Sequence, residues 1–293
     1  MARTRDSWGF AEGDAITSEL TAMKRLGGGA AYDAYLAFDD VTYSPVVVKL
    51  VRPGQVASES TLRGLRREVE ALDRVNHPVV VRGMRSVVDG ERPHVVLEHL
   101  DGPRLSSLIR RYGPLPEQQY LPLAIELASA MHYFRRLEYV HLDIKPSNII
   151  MGAPARLIDL SLARRIEEAQ ALTHPIGTDA YMSPEQTEPP QTGVPGYASD
   201  VWGIGATLFE AIAGYKAFDE GDADAPEASR RLPQGVDLPY SLPDRVPGDV
   251  VKVVLSCLEP NPENRPLPHE LAERLEPALE RAPRGKLAGF KIR

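Results

Sequence analysis

At 293 residues with 43% hydrophobic side chains, the chain can bury the core of one large domain or two ordinary ones, which excludes a disordered polymer. Its 34 basic and 41 acidic residues leave a net charge of −7, which repels a phosphate backbone and argues against a general nucleic-acid binder. Cys257 is the single cysteine, no apolar run approaches the roughly 20 residues of a bilayer span, and MARTRDSWGF lacks the apolar stretch of a signal peptide, so a reducing, cytoplasmic setting with no membrane span is expected.

Residues 21 to 51 alternate apolar and polar positions around a GGG and an SP, predicting strands at about 21–26, 32–39 and 45–51. Between Ser60 and Arg74, Leu62, Leu65, Val69 and Leu72 recur at three- and four-residue steps, an amphipathic helix stopped by His77-Pro78. Two further strands are predicted near 79–88 and 94–99. Helical spacing then takes over at 105–111, 117–139, 199–213, 249–257 and 268–280. Strands first and helices afterwards predict an α+β chain in two lobes. Gly214 to Gly248, rich in Pro, Gly and Asp, reads as irregular with at most one short helix near Ala225 to Arg231. The ending RAPRGKLAGFKIR holds five basic residues and no acid; it suits a solvated chain end, with a partner or an anionic surface as the alternative.

Chemistry enters with LGGGAAYDAY at 26–35, where glycines let backbone amides approach a phosphate, although a tight hairpin accounts for them equally well. Lys49 in VVVKL is a cation in an apolar strand and needs a partner if buried; Glu68 in LRREVEAL is a candidate, and an exposed pair on a polar face is the other reading. Further on, YVHLDIKPSNIIM at 139–151 and RLIDLSLAR at 156–164 place Asp143, Lys145, Asn148 and Asp159 in two loops flanked by apolar runs. Carboxylates and an amide brought near one another call for a cation, and oxygen ligands of this kind suit Mg2+.

These two segments resemble the catalytic loop and metal-binding segment of the eukaryotic-like, bacterial Hanks-type serine/threonine protein kinases, H-R-D-L-x-x-x-N followed by D-F-G, and the resemblance covers about residues 20 to 280. It implies a bilobal protein-kinase-like fold: an arm at 1–20, an N-lobe of antiparallel sheet plus one helix at 21–100, a mainly helical C-lobe at 101–280 and a basic tail at 281–293. It implies ATP and Mg2+ as cofactors and a protein substrate with a Ser or Thr acceptor. Asp143 would take the hydroxyl proton, Lys145 would steady the γ-phosphate, and Asn148 and Asp159 would bind the metal. Lys49, paired with Glu68, would hold the α- and β-phosphates. The implied nucleotide contacts are Gly27, Gly28, Gly29, Ala34, Val47, Lys49, Leu97, Glu98, Leu100 and Ile150. GTDAYMSPEQ at 177–186 is similar to the end of an activation segment, with Thr178 marking the serine/threonine branch. Asp200 in ASDVWGIG would anchor the catalytic loop, and Arg265 in NPENRP would pair with Glu185.

The sequence departs from the family pattern at several positions. Tyr32 stands at the third glycine, which should stiffen the loop, and Ser161 replaces the glycine of D-F-G. Leu142 replaces an arginine that in the family often receives activation-loop phosphate, so activity is expected not to require phosphate on Thr173, the single hydroxyl between Leu162 and Thr178. With no sensor domain in the sequence, regulation is expected from a partner, a ligand or expression level. Two alternatives stand beside the active kinase: a nucleotide-binding pseudokinase scaffold, and a small-molecule kinase of the aminoglycoside-phosphotransferase type. Retention of the charged set argues against the first. Lys145, Thr178, the S-P-E segment and Asp200 argue against the second.

Overall fold

Alternation in the first hundred residues becomes a five-stranded antiparallel sheet in the order β1-β2-β3-β5-β4: β1 (Leu20–Gly28), β2 (Tyr32–Asp39), β3 (Ser44–Val51), β4 (Gly83–Val87) and β5 (His94–Glu98). The structure, a computed structural model, describes residues 7–222, 224 and 232–282. The short helix expected near Ala225 to Arg231 and the basic tail from 283 onward lie outside the described residues. The chain forms two compact units, Met1–Asp101 with Ile158–Ala163, and Gly102–Leu157 with Arg164–Arg293.

In the first unit the period of two decides what faces where. On β2, Asp33, Tyr35, Ala37 and Asp39 are buried, while Tyr32, Ala34, Leu36 and Phe38 are only partly covered. Ala34 pairs with Lys49, and Val47 with both Leu36 and Leu97, so Ala34, Val47, Lys49 and Leu97 share the second face. The first face is closed by chain that precedes the sheet: Ile16 joins Leu20, Ala22, Tyr35, Ala37, Val46, Val48, Leu50 and Val96 in one core, with Trp8 and Phe10 packed on it. Helix α1 (Glu59–Arg74) is capped by the Ser58 hydroxyl, which accepts from Thr61 N at 3.4 Å. Its buried residues are Thr61, Leu65, Glu68, Ala71 and Leu72, a stripe at three- and four-residue steps. The strand expected from 79 begins only at Gly83. Val79 to Val81 are buried outside the named strands, with Val80 in an isolated bridge and its N donating to His77 O at 2.9 Å, beside a proline that lacks an N–H.

The second unit is mainly helical: α2 (Leu105–Tyr112), α3 (Glu117–Arg136), α4 (Ile166–Gln170), α5 (Pro184–Thr187), α6 (Tyr197–Ala213), α7 (Gly248–Cys257) and α8 (Pro268–Arg281). Helix α6 is buried almost throughout and packs against α3 and α7, and α8 packs against α3. Gly214, at φ 86, ends α6 in the left-handed conformation that glycine adopts without strain, its N–H returning to Glu210 O at 2.8 Å. The helix expected to run to 139 stops at Arg136 because Glu138 turns to φ 60 and the next two residues form β6 (Tyr139–Val140), paired with β9 (Arg164–Arg165). A second small ladder joins β7 (Ile149–Ile150) to β8 (Arg156–Leu157). These ladders bracket the loops that carry Asp143, Asn148 and Asp159. Among the described residues, no helix is long and apolar enough to cross a membrane. The α+β class with a sheet-plus-helix amino-terminal unit and a helical remainder is the architecture expected from the sequence.

Candidate active site

In the first unit, the Lys49 ammonium donates to both carboxylate oxygens of Glu68, at 2.9 and 2.8 Å, and to Asp159 Oδ1 at 2.8 Å. Glu68 can do this because it lies on the buried stripe of α1, and Asp159 because residues 158–163 belong to this unit. A carboxylate that is 1% exposed, as Glu68 is, stays charged only beside such a cation. Burial by itself favours loss of the lysine proton, but the charges of Glu68 and Asp159 outweigh it and hold Lys49 above the ordinary lysine pKa. Asp159 adopts φ 68, a conformation rare outside glycine, and its side chain remains 37% exposed. Gly27 and Gly28 end β1, and Gly29 N donates to Tyr32 O across the turn at 2.9 Å. The Glu98 side chain accepts from Arg82 N at 2.7 Å, and Leu100 follows β5, half-buried.

In the second unit, the Asp143 carboxylate is met on both oxygens. The Thr178 hydroxyl donates to Oδ1 at 2.7 Å; Lys145 Nζ and Asn148 Nδ2 donate to Oδ2 at 2.7 and 3.0 Å. Lys145 also donates to Thr178 Oγ1 at 2.5 Å, and Asn148 Nδ2 to Asp143 O at 3.0 Å. This cage fixes the aspartate rotamer and keeps it ringed by donors. The loop backbone is fixed from below, where His141 N and Leu142 N donate to Asp200 Oδ2 and Oδ1 at 2.8 and 2.7 Å. Burial pushes the Asp200 carboxyl up to about 7, against the pull of those two amides. His141 is fully buried, with Asp143 N donating to its Nδ1 at 3.3 Å. Because the amide nitrogen of Asn148 is engaged twice by Asp143, the side chain has its oxygen to offer a hard cation. Among the described residues, no group of three or more His, Cys, Asp or Glu is placed to hold a metal ion. Ile150 lies half-buried on β7, and Thr173 is exposed.

Residues 20–274 match the protein kinase domain family. The chain belongs to that family. The kinase domain is 30% identical over 249 residues to serine/threonine-protein kinase PknB of Mycobacterium leprae, covering 82% of this chain and 39% of the relative. It is 26% identical over 275 residues to PrkC of Bacillus subtilis, covering 92% and 41%, and 31% identical over 244 residues to PkaA of Streptomyces coelicolor, covering 80% and 43%. The chain thus spans about two fifths of the length of these curated relatives.

Two features of this kinase domain escaped the sequence reading. Gln186 donates to Leu142 O at 2.9 Å and Ile176 O at 2.8 Å, while its oxygen accepts from Ser183 N and Oγ at 3.1 Å each. One buried amide therefore ties the stretch from Ile176 to Gln186 to the loop of Asp143 at Leu142, which is 3% exposed. The signal was present as Ser183-x-x-Gln186, a capping box. The second is Tyr32, whose hydroxyl donates to Thr61 O at 2.9 Å.

Proposed function

We propose that the chain is a serine/threonine protein kinase that transfers the γ-phosphate of ATP to Ser or Thr hydroxyls of a protein substrate. The observation that carries this reading is the Asp143 cage, a carboxylate whose two oxygens are oriented by Thr178, Lys145 and Asn148. Phosphoryl transfer asks for positioning and charge neutralisation more than covalent chemistry from the protein. Asp143 would accept the acceptor hydroxyl's proton at a carboxylate oxygen, and Lys145 would turn its ammonium to the γ-phosphate. Lys49, held charged and straight by Glu68, would meet the α- and β-phosphates. Mg2+, when bound, neutralises phosphate charge, and Asn148 and Asp159 would hold it. Gly27 to Gly29 would cover the phosphates, while Ala34, Val47, Leu97 and backbone groups near Glu98 and Leu100, together with Ile150, would accept the adenine. A cytoplasmic setting belongs to the same proposal. The Leu142 and Gln186 arrangement supports transfer that does not wait for phosphate on Thr173, because an internal amide already fastens the segment.

The test is purified protein with labelled ATP, magnesium and a generic protein acceptor, beside Asp143→Asn. Labelled phosphoserine or phosphothreonine should appear, and the variant should lose about 10²- to 10⁴-fold in rate while still binding nucleotide. Nucleotide binding without transfer in either protein would replace the reading with a scaffold. Transfer only to small hydroxylated molecules would replace it with a small-molecule kinase.

A further inference from the structure

Tyr32 occupies the point where β2 leaves the glycine turn, and its side chain does not project into solvent. Its ring lies under the Lys49 ammonium, 4.9 Å from Nζ to the centroid, and its hydroxyl donates to Thr61 O in the first turn of α1 at 2.9 Å. Gly64, one turn along, leaves room for that hydroxyl: a Cβ there would stand 3.2 Å from it. Burial raises the Tyr32 pKa to about 12, with Lys49 opposing and Glu68 and Asp159 adding to the shift, so the hydroxyl remains a donor at neutral pH. The same side chain therefore touches the strand lysine through its ring and the helix that carries Glu68 through its oxygen.

We propose that Tyr32 is a positioning residue for phosphoryl transfer, clamping the amino-terminal turn of α1 to β2 so that the Lys49–Glu68 pair stands assembled without a partner or a phosphate to press the helix inward. A cation over an aromatic face and a backbone carbonyl bonded to a phenol act in series: the ring limits where Nζ can go, and the hydroxyl limits where α1 can go. Flexibility of the glycine turn is exchanged for a fixed helix. This inference rests on the kinase reading for its effect on rate, but the clamp itself is a statement about α1 and is measurable without transfer.

The experiment compares wild type, Tyr32→Phe, Gly64→Ala and the double variant by hydrogen exchange of α1 amides, by thermal unfolding and by steady-state kinetics with ATP varied. Tyr32→Phe keeps the ring over Lys49 and removes the bond to Thr61. It should speed exchange in the first turns of α1 and lower kcat, each by about fivefold, with KM for ATP within about twofold of wild type. Gly64→Ala should raise helix stability through alanine's propensity yet lower kcat, because its methyl crowds the Tyr32 hydroxyl; a purely structural role predicts the opposite sign. In the Tyr32→Phe background the same alanine should cost no further rate, since the crowded oxygen is gone. The proposal is overturned by wild-type exchange in Tyr32→Phe, by a rise in kcat in that variant, which would make Tyr32 a brake, or by additive losses in the double variant. If wild type transfers no phosphate at all, the kinase reading fails, and the exchange data alone decide the clamp.

Discussion

Arg265 donates to both oxygens of Glu185, at 2.7 and 2.9 Å, across 80 positions of sequence. Its remaining N–H groups reach Ala198 O, Pro260 O and Glu259 O at 3.0, 3.1 and 2.8 Å, so all five guanidinium donors are engaged. Ser199 Oγ adds a donor to Glu185 at 2.7 Å, and the two charged side chains are 0% and 1% exposed. Burial alone would raise the Glu185 pKa; the hydrogen bonds and charge of Arg265, helped by Ser199, hold it below the ordinary glutamate value.

That depression fixes the sign of a pH effect. A folded-state pKa below the unfolded one makes the pair's contribution complete above about pH 4.3 and lost as pH falls through the lower folded value. Glu185→Gln should destabilise the domain by about 3 kcal/mol near neutrality, as breaking a buried pair does, and the gap to wild type should narrow steadily in acid. Urea unfolding at a series of pH values measures it. A gap that is constant or widens toward low pH would show that Glu185 is not held as a carboxylate by Arg265.

The chain before the sheet makes a second prediction. Trp8 Nε1 donates to Val51 O at 2.8 Å, the Trp8 and Phe10 rings stack at 6.1 Å, and the Arg92 guanidinium covers both, at 5.1 and 5.2 Å. Arg92 in turn donates to Ile16 O at 2.5 Å. Trp8→Ala should cost about 2 kcal/mol, below the range for a fully buried tryptophan because Trp8 is only half-buried. Denaturant midpoints of the two proteins decide it, and an unchanged midpoint would mean that the segment does not support the sheet.

How much of this was legible beforehand follows the physics of each signal. Strands at 32–39 and 45–51 were readable because one face of the sheet is more deeply covered than the other, which writes a period of two into the sequence. Lys49 and Asp143 were readable because charges set in apolar runs demand partners, and the motif supplied which. Residues 7–19 carried no period, so Trp8 and Phe10 passed as part of a featureless arm, although they roof the core. Two-residue strands such as β6 and β9 are shorter than any repeat that could betray them, and the helix expected to reach 139 absorbed β6 for that reason. Tyr32 was read only as a missing glycine; that its hydroxyl reaches Thr61 depends on the placement of α1, which sequence spacing does not encode.

Asp200 carries the third prediction. Its two oxygens accept from consecutive amides, His141 N and Leu142 N, and Leu142 is held at φ 63, where non-glycine residues need support. Asp200→Asn keeps shape but turns one acceptor into a donor facing an N–H, leaving buried donors unpaired. Stability should fall by about 1–3 kcal/mol. Because the loop places Asp143, kcat should fall with KM for ATP little changed. An Asp200→Asn protein with wild-type unfolding and wild-type kcat would remove Asp200 from the support of the loop.

The last prediction separates two threonines of one segment. Thr178 Oγ1 donates to Asp143 and accepts from Lys145, so its hydroxyl closes the cage, whereas Thr173 is exposed on the same stretch of chain. Thr178→Ser keeps the hydroxyl and should retain most activity; Thr178→Ala removes both bonds and should lower kcat at least tenfold, since a carboxylate freed on one oxygen samples rotamers that do not face the acceptor. Thr173→Ala should transfer phosphate at the wild-type rate, because Gln186 holds Ile176 and Leu142 without any phosphate on the segment. Kinetics of the three variants, with intact mass spectrometry to record phosphate on Thr173, test both halves together. A large loss in Thr173→Ala with unfolding unchanged would mean that the segment does wait for a phosphate. Equal rates in Thr178→Ala and wild type would mean that the hydroxyl bridging Lys145 and Asp143 does not orient the Asp143 carboxylate.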